Sequence, residues 1–187
     1  MKKLFSEIPY IEGERIVLRK ITQDDAAALR EFTQSEAVYR YLPTFLFEKK
    51  YDSIEYVIDH LYDECFRESI ILGIYLKDAG TGEEDSTKET FCGIAEMYGF
   101  RDEIHKISVG YRLLERFWGQ GIASEALGLM ISYLYDETDI EIITASTMLE
   151  NRGSARVLEK NGFDLVAHAV PEDWGYEEPL PTDKWIR

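Results

Sequence analysis

The 187-residue chain has the composition of an ordinary globular protein, with 45% hydrophobic and 30% charged residues. Its length suits a single domain spanning residues 1–187. The formal net charge of -15 disfavours binding to nucleic acid or to an anionic membrane, whereas it would attract a cationic ligand.

No segment is apolar over the length of a transmembrane helix, since the longest nearly uninterrupted apolar run is Ser69–Leu76. The N-terminus contains two lysines but no apolar core of signal-peptide length, so we expect a cytoplasmic protein. The two cysteines, Cys65 and Cys92, form neither a CxxC nor a Cys/His pattern. We therefore expect buried free thiols and no metal site.

Hydrophobic periodicity predicts alternating strands and helices. In chain order these are a strand over 14–21, a helix beginning after Thr22, a helix over 53–66, strands over 70–76, 90–98 and 106–114, a helix over 122–135, a strand over 140–149, a helix over 151–162, a strand over 163–170 and a final edge strand over 184–187. The polar segment 77–89 predicts a long hairpin loop. A helical crossover from Leu114 to Ile140 makes those two strands parallel, which predicts an α/β fold with a mixed, mostly antiparallel sheet and helices on its faces.

The most informative segment is Arg116–Leu127, RFWGQGIASEAL, which follows a strand and opens a helix. Gly119 and Gly121 remove two side chains from the turn, so a ligand can approach the backbone closely. The N–H groups and the positive dipole end of the following helix suit an anion such as a pyrophosphate.

Three alternatives compete for this loop. A P-loop would need a lysine that is absent here. A dinucleotide-binding GxGxxG motif would need glycine at Ser124, although Glu141 lies at about the distance of its ribose-binding acid. A plain strand–turn–helix connection would use the glycines for geometry alone.

The wider context favours a fourth interpretation. VGYRLLERFWGQGIASEAL resembles the acetyl-CoA loop of the GNAT N-acetyltransferase superfamily, whose Arg/Gln-x-x-Gly-x-Gly/Ala signature is matched by Arg116, Gly119 and Gly121. It is also similar to the narrower RimJ/RimL type, through Phe117, Trp118, Gly119, Gly121, Ala123, Glu125 and Ala126. A second block, NRGSARVLEKNGF, and the opening ERIVLRKITQDDAAAL extend the resemblance over nearly the whole chain.

This resemblance implies a GNAT-like single domain in which a bulge in the strand over 106–114 splays it from its parallel partner. The pantetheine arm of acetyl-CoA would then lie in the gap. The residues expected to bind the cofactor are Tyr111, Arg112, Leu113, Arg116, Trp118, Gly119, Gln120, Gly121, Ile122, Ala123, Ser124, Asn151 and Ser154. The backbone of Tyr111–Leu113 would bond the arm and the thioester carbonyl, and Asn151 would bond the arm from the other side.

The implied reaction is acetyl transfer to a primary amine, and it needs an acid for the leaving thiolate and a base for the ammonium. Many relatives place a tyrosine acid where this chain has Leu158. The RimJ/RimL type instead has a serine near the sulfur, and Ser154 matches it, so the resemblance implies Ser154 as the acid. The other possible role of Ser154 is helix capping. Glu96 is the candidate base, with His105 and Tyr98 as alternates. Bulk water at alkaline pH could replace an assigned base.

The acceptor is expected to be a protein N-terminus or a small basic amine, bound by a monomer or homodimer. Aromatic residues after the first helix (Tyr39, Tyr41, Phe45, Phe47 and Tyr51) mark where specificity would arise, and Glu36, Glu48 and Asp52 would give that region an acidic mouth. Trp118 is expected to pack against the helix rather than to shield the cofactor. Two alternatives remain: a non-catalytic acyl-CoA-binding module and a dinucleotide-dependent enzyme.

Overall fold

The computed structural model describes residues 7–65, 69–77 and 89–187. Its strands are β1 (Ile11–Glu12), β2 (Ile16–Arg19), β3 (Ser69–Lys77), β4 (Glu89–Arg101), β5 (Lys106–Leu113), β6 (Ile142–Met148), β7 (Asp164–Glu172) and β8 (Leu180–Ile186). Its α-helices are α1 (Ala26–Gln34), α2 (Glu36–Tyr39), α3 (Ile54–Cys65), α4 (Ile122–Glu137) and α5 (Arg152–Lys160). The predicted elements are therefore present, whereas β1 and α2 were not predicted. Most of the predicted hairpin loop over 77–89 lies outside the described residues.

The strands form one sheet in the order β1-β2-β3-β4-β5-β6-β8-β7. Strands β5 and β6 are parallel, as the helical crossover requires, and the other neighbouring pairs are antiparallel. The predicted mixed sheet with helices on both faces is thereby confirmed.

The strand predicted over 184–187 is present, but the prediction that it forms an edge of the sheet is wrong. β8 begins at Leu180 and lies between β6 and β7, so β7 is the edge strand. Pro171 and Pro181 face each other near the hairpin end. Proline gives a loop-like sequence but is compatible with strand ends and edges, which is why the pattern hid the first half of β8.

The start of α1 follows its sequence signals. Thr22 precedes a short 3-10 turn, Gln23–Asp25, that leads directly into the helix. The Asp25 carboxylate accepts hydrogen bonds from the Thr22 backbone N–H at 2.8 Å and from the Tyr75 hydroxyl at 2.8 Å. One acid therefore caps the helix start and anchors it to a fully buried tyrosine of β3.

A continuous apolar core lies between the sheet and the helices. Its largest fully buried side chains include Tyr75, Phe32, Ile16, Leu18, Ile21, Leu29, Leu61, Ile70, Leu72, Ile74, Ile94 and Met97. This core fixes the sheet that positions the candidate site described below. Within the described residues, no helix is long and apolar enough to cross a membrane.

Candidate active site

A gap opens between the two parallel strands. β5 and β6 pair at only three positions, the last being Ser108 with Thr144, and their hydroxyl oxygens lie 2.9 Å apart. Both strands continue beyond this point, β5 to Leu113 and β6 to Met148. Because backbone polar groups need partners, the facing edges of an unpaired gap suit an extended ligand that can hydrogen bond like a strand.

The bulge expected in β5 is not found. The β4–β5 register is unbroken from Gly93 opposite Leu113 to Tyr98 opposite Ser108, and it shifts only between Tyr98 and Arg101. The strands therefore separate without an extra residue inside the paired part of β5.

The predicted anion-binding loop lies at the end of β5 where the gap is open. Gly119 and Gly121 have φ angles of 72° and 80°, in the left-handed region that side chains disfavour. A Cβ at Gly119 would meet nothing within 4 Å, so its surroundings are open to a ligand. α4 begins at Ile122, and among the described residues no side chain caps it. Its first N–H groups and its dipole are thus presented to an anion.

Arg15 reinforces this loop and was not recognised from the sequence. Its Nε donates to Glu125 Oε2 at 2.9 Å, its Nη1 donates to the Gln120 carbonyl at 3.0 Å, and its backbone N–H donates to Glu125 Oε1 at 2.9 Å. A Cβ at Gly121 would lie 3.3 Å from Arg15 Nη2. A guanidinium with a half-exposed side chain, paired with Glu125 in the first turn of α4, therefore lies directly beside the helix N-terminus.

The remaining predicted loop residues have mostly structural contacts. The Arg116 guanidinium pairs with Glu31 on α1, and the Gln120 side chain donates to the Arg116 carbonyl at 2.7 Å. Ile122 is buried in the core, whereas Ala123 is half-buried. The Ser124 hydroxyl accepts a hydrogen bond from Asn161 Nδ2 at 3.0 Å, which joins α4 to the end of α5.

Trp118 was expected to pack against the helix, but its side chain is not part of the core. It is 47% exposed, and its indole Nε1 donates to the Leu113 carbonyl at 2.8 Å. The bond folds the loop back onto the last residue of β5. Since an exposed indole borders the loop, the ring is free to cover a ligand bound there.

Tyr111 and Ser154 meet across the open gap. The Tyr111 hydroxyl lies 3.0 Å from Ser154 Oγ and also donates to the Ser154 carbonyl at 3.2 Å. Asn151 is the N-cap of α5, and its Oδ1 accepts from the Ser154 backbone N–H at 3.2 Å. The capping role considered for Ser154 thus belongs to Asn151, and the serine hydroxyl is directed to Tyr111. Burial raises the pKa of the Tyr111 phenol above its ordinary value.

Glu96 forms a charged cluster with Arg112 and Glu48 on the face of the sheet opposite to the Tyr111 side chain. Arg112 follows Tyr111 on β5, so its side chain points the other way. Its Nη1 donates to Glu96 Oε2 at 3.0 Å and its Nε donates to Glu48 Oε1 at 2.7 Å. Burial raises the pKa of the Glu96 carboxyl, and Glu48 adds to this effect, while Arg112 opposes it. A carboxylate with a raised pKa is a stronger base than an ordinary one.

The alternates for the base have different positions. Tyr98 lies on β4 two residues beyond Glu96, and burial raises the pKa of its phenol. His105 has a left-handed φ of 50° in the turn before β5, and its Nδ1 lies 2.8 Å from the Asp139 carbonyl. Glu96 lies opposite Gly110, which is five positions along the chain from His105, about 17 Å of extended strand, so His105 is far from Glu96.

The aromatic segment after α2 is joined to the β7–β8 loop. The Thr44 N–H donates to the Trp174 carbonyl at 2.8 Å, the Thr44 hydroxyl donates to the Gly175 carbonyl at 3.0 Å, and the Tyr176 hydroxyl donates to the Leu42 carbonyl at 2.9 Å. We call these contacts the 42–176 bridge.

Within the aromatic set, packing and exposure differ. Tyr39 packs edge-on against Phe32 with centroids 5.9 Å apart, Phe47 packs against Tyr51 at 5.8 Å, and Phe45 is 64% exposed. Tyr41 is half-buried. Of the three acids expected at a solvent-facing mouth, Glu36 and Asp52 are exposed, but Glu48 is buried and paired with Arg112.

Leu158 and Cys92 are buried, at 1% and 0% exposure. Leu158 is therefore a core residue, and its side chain has no group that could act as the acid. Cys92 has the environment expected of an inert thiol, whereas the Cys65 side chain lies outside what the structure describes. No group of three or more His, Cys, Asp or Glu within residues 7–65, 69–77 and 89–187 is arranged to hold a metal ion.

Comparison with known proteins agrees with this geometry. Residues 15–164 match the family model described as an acetyltransferase (GNAT) domain. YoaA of Bacillus subtilis (strain 168), an uncharacterized N-acetyltransferase, is 28% identical over 181 residues, covering 94% of this chain and 93% of its own length.

Two solved structures show the shared fold. Mycobacterium smegmatis RimJ, in complex with CoA-disulfide, has a TM-score of 0.75 at 19% identity, covering 100% of this chain and 90% of its own. Spermidine N-acetyltransferase from Vibrio cholerae, in complex with CoA and spermine, has a TM-score of 0.68 at 16% identity, covering 94% and 96%. The resemblance in the loop, the parallel strand pair and the family match agree: this chain belongs to the GNAT acetyltransferase family.

Proposed function

We propose that this protein transfers the acetyl group of acetyl-CoA to a primary amine by direct attack within a ternary complex. The observation that carries the proposal is the gap between β5 and β6, which opens beyond Ser108 and Thr144 and has the N-terminus of α4 at its open end. A strand-like arm and an anionic group joined to it fit these two features together.

The residues predicted to bind the cofactor would contact different parts of it. The backbone N–H groups from Trp118 to Ser124 would hold the pyrophosphate, and the Arg15 guanidinium would add positive charge. The unpaired edge of Tyr111–Leu113 would bond the pantetheine arm, with Asn151 on the opposite side. A backbone N–H of β5 near the thioester would stabilise negative charge that develops on the carbonyl oxygen.

Glu96 is proposed to accept the proton of the incoming ammonium, directly or through one water. The neutral amine nitrogen then attacks the thioester carbon, the C–S bond breaks, and the sulfur leaves with a proton. Ser154 is proposed to supply a hydroxyl to that sulfur, because Leu158 has no donor. The Tyr111 hydroxyl, 3.0 Å from Ser154 Oγ, would hold the serine in place.

A cationic acceptor suits the charge of the site. Glu48 and Glu96 share a single guanidinium, so the three groups sum to one negative charge when all are ionised. The 42–176 bridge joins the segment that carries Glu48 to the β7–β8 loop, and a site mouth joined in this way favours a small basic amine over a protein N-terminus, which needs an open groove. The net charge of -15 would favour encounter with a polycation.

The first experiment is thermal unfolding with acetyl-CoA, with NAD as a control. Acetyl-CoA at a hundred times its Kd should stabilise the fold by about 2.7 kcal/mol, and NAD should not. A rise with NAD alone would instead support the dinucleotide alternative.

The second experiment measures CoA release with spermidine, spermine and short peptides beginning with Ser, Ala or Met. Turnover with a polyamine supports the proposal, and turnover with peptides alone would overturn the assignment of a small amine. Binding of acetyl-CoA without turnover on any amine would favour a non-catalytic acyl-CoA-binding module.

A further inference from the structure

Two carboxylates share one guanidinium in a position almost closed to water. The side chains of Arg112 and Glu48 are 4% and 1% exposed, and that of Glu96 is 17% exposed. Arg112 donates to Glu48 through Nε and to Glu96 through Nη1, so the two carboxylates bind different nitrogen atoms of one guanidinium. A change in the charge of one acid therefore changes the pKa of the other, because both interact with the same cation.

Glu48 does not belong to the sheet. It lies in a short 3-10 helix, Phe47–Lys49, in the segment between α2 and α3, and its Oε1 also accepts from the Tyr39 hydroxyl at 3.2 Å. The same segment carries Thr44 of the 42–176 bridge. The acid that pairs with Arg112 is thus supplied by the segment in which we expect acceptor specificity.

This arrangement is a costly way to stabilise a fold. Within the described residues, Glu48 Oε2 and Arg112 Nη2 are buried without any hydrogen-bond partner. Burying charges costs desolvation energy that an incompletely bonded ion pair repays poorly, so apolar residues would stabilise this position at least as well. The position of the cluster beside the candidate base offers a functional reason for the charges.

We propose that Glu48 is a positioning residue that acts through Arg112 to orient the Glu96 carboxylate and tune its charge for proton removal from the acceptor amine. This inference rests on the function proposed above. Without Glu48, Arg112 would be free to neutralise Glu96 alone, which would make Glu96 a weaker base. Without Arg112, two carboxylates would face each other unpaired.

The electrostatics around Glu96 agree in direction. Burial is the largest influence and raises its pKa, Arg112 lowers it, and Glu48 raises it. Among residues 7–65, 69–77 and 89–187, the other titratable groups that interact with the cluster are Tyr39 from α2 and Tyr98 from β4. Burial raises the pKa of both phenols, so they stay neutral through the working pH range. Glu172 from β7 acts on Tyr98 and is itself paired with Lys184.

The test is the pH profile of kcat/KM for Glu48→Gln, with the best acceptor amine from the panel above. Removing the negative charge should move the acid limb to lower pH by at least about half a unit and lower kcat at neutral pH. The pKa of the acceptor is the same in every variant, so a shift between variants reports the enzyme. Glu103→Gln makes the same change at an exposed site in the β4–β5 turn, and it should leave the profile unchanged.

Glu48→Asp keeps the charge but shortens the reach to Arg112. It should lower kcat while leaving the acid limb in place, and it remains informative if Glu48→Gln does not fold. A folded Glu48→Gln or Glu48→Asp protein with wild-type kcat and a wild-type acid limb would overturn the inference.

Glu96→Gln separates the two proposals. An inactive Glu96→Gln with an unmoved Glu48→Gln profile means that only the role of Glu48 is wrong. Full activity of Glu96→Gln, or no acetyl transfer by the unaltered protein, would contradict the proposed role of Glu96 as the base. The proposed role of Glu48 would then be wrong as well.

Discussion

The Tyr111 hydroxyl lies 3.0 Å from Ser154 Oγ and joins β5 to α5 across the gap between the parallel strands. The two residues are separated by 43 positions in the chain, and they meet because the α4 crossover brings the start of α5 beside β5. This contact gives Ser154 a fixed direction, which a proton donor to a leaving thiolate requires.

We expect Ser154→Ala to lower kcat more than it changes KM for acetyl-CoA, because a proton donor acts in the transition state. The loss should be on the order of a hundredfold, the lower end of the range for one general acid. Steady-state kinetics with varied acetyl-CoA measures both constants. Equal losses in kcat and in cofactor affinity would show that Ser154 only helps to bind the arm.

Tyr111→Phe tests the positioning of that serine. Removing the phenol oxygen leaves Ser154 in place but without its partner, so kcat should fall less than in Ser154→Ala. The double variant should be no worse than Ser154→Ala alone if the two act as one unit. Additive losses would assign Tyr111 an independent role.

Gly121→Asp should abolish binding of acetyl-CoA, because it places a carboxylate at the proposed pyrophosphate site. Gly121 has a φ of 80°, so any side chain also adds backbone strain. Gly121→Asn is the matched control, since asparagine has the same shape, tolerates left-handed backbone and carries no charge. Thermal unfolding with and without acetyl-CoA compares them. If the Asp variant bound as well as the Asn variant, the anion site would have to lie elsewhere.

Arg15→Ala should weaken acetyl-CoA binding without changing kcat at saturation, since Arg15 contacts the loop rather than the gap. The KM for acetyl-CoA should rise by about fivefold to thirtyfold, as expected for losing one or two kcal/mol of binding energy. An unchanged KM in Arg15→Ala would make the Arg15–Glu125 pair purely structural.

Structural features that depend on residues close together in the chain could be predicted from the sequence. The apolar segments of β3 to β5, the helix start after Thr22 and the glycines of Arg116–Leu127 are local patterns, and the structure has these elements where they were predicted. The family resemblance added the splayed strand pair, which no local pattern contains.

Long-range contacts could not be predicted in this way. Arg15 and Glu125 are 110 positions apart, and Arg112 and Glu48 are 64 apart, so no spacing rule connects them. An arginine in a strand and a glutamate followed by two lysines each look like surface residues, although the fold buries them together. The insertion of β8 between β6 and β7 is non-local for the same reason.

Cys92 should resist thiol reagents in the folded protein. Burial raises the pKa of its thiol to about 11, and the side chain is fully buried, so little thiolate forms and no reagent reaches it at neutral pH. In a Cys65→Ser variant, where Cys92 is the remaining thiol, reaction with a disulfide reagent at pH 8 should be slow in buffer and complete within minutes in denaturant. Raising the pH should accelerate the native reaction much less than unfolding does, because access to the sulfur is limiting as well as ionisation. A rapid native reaction would mean that β4 opens at Cys92, next to the strand that carries the candidate site.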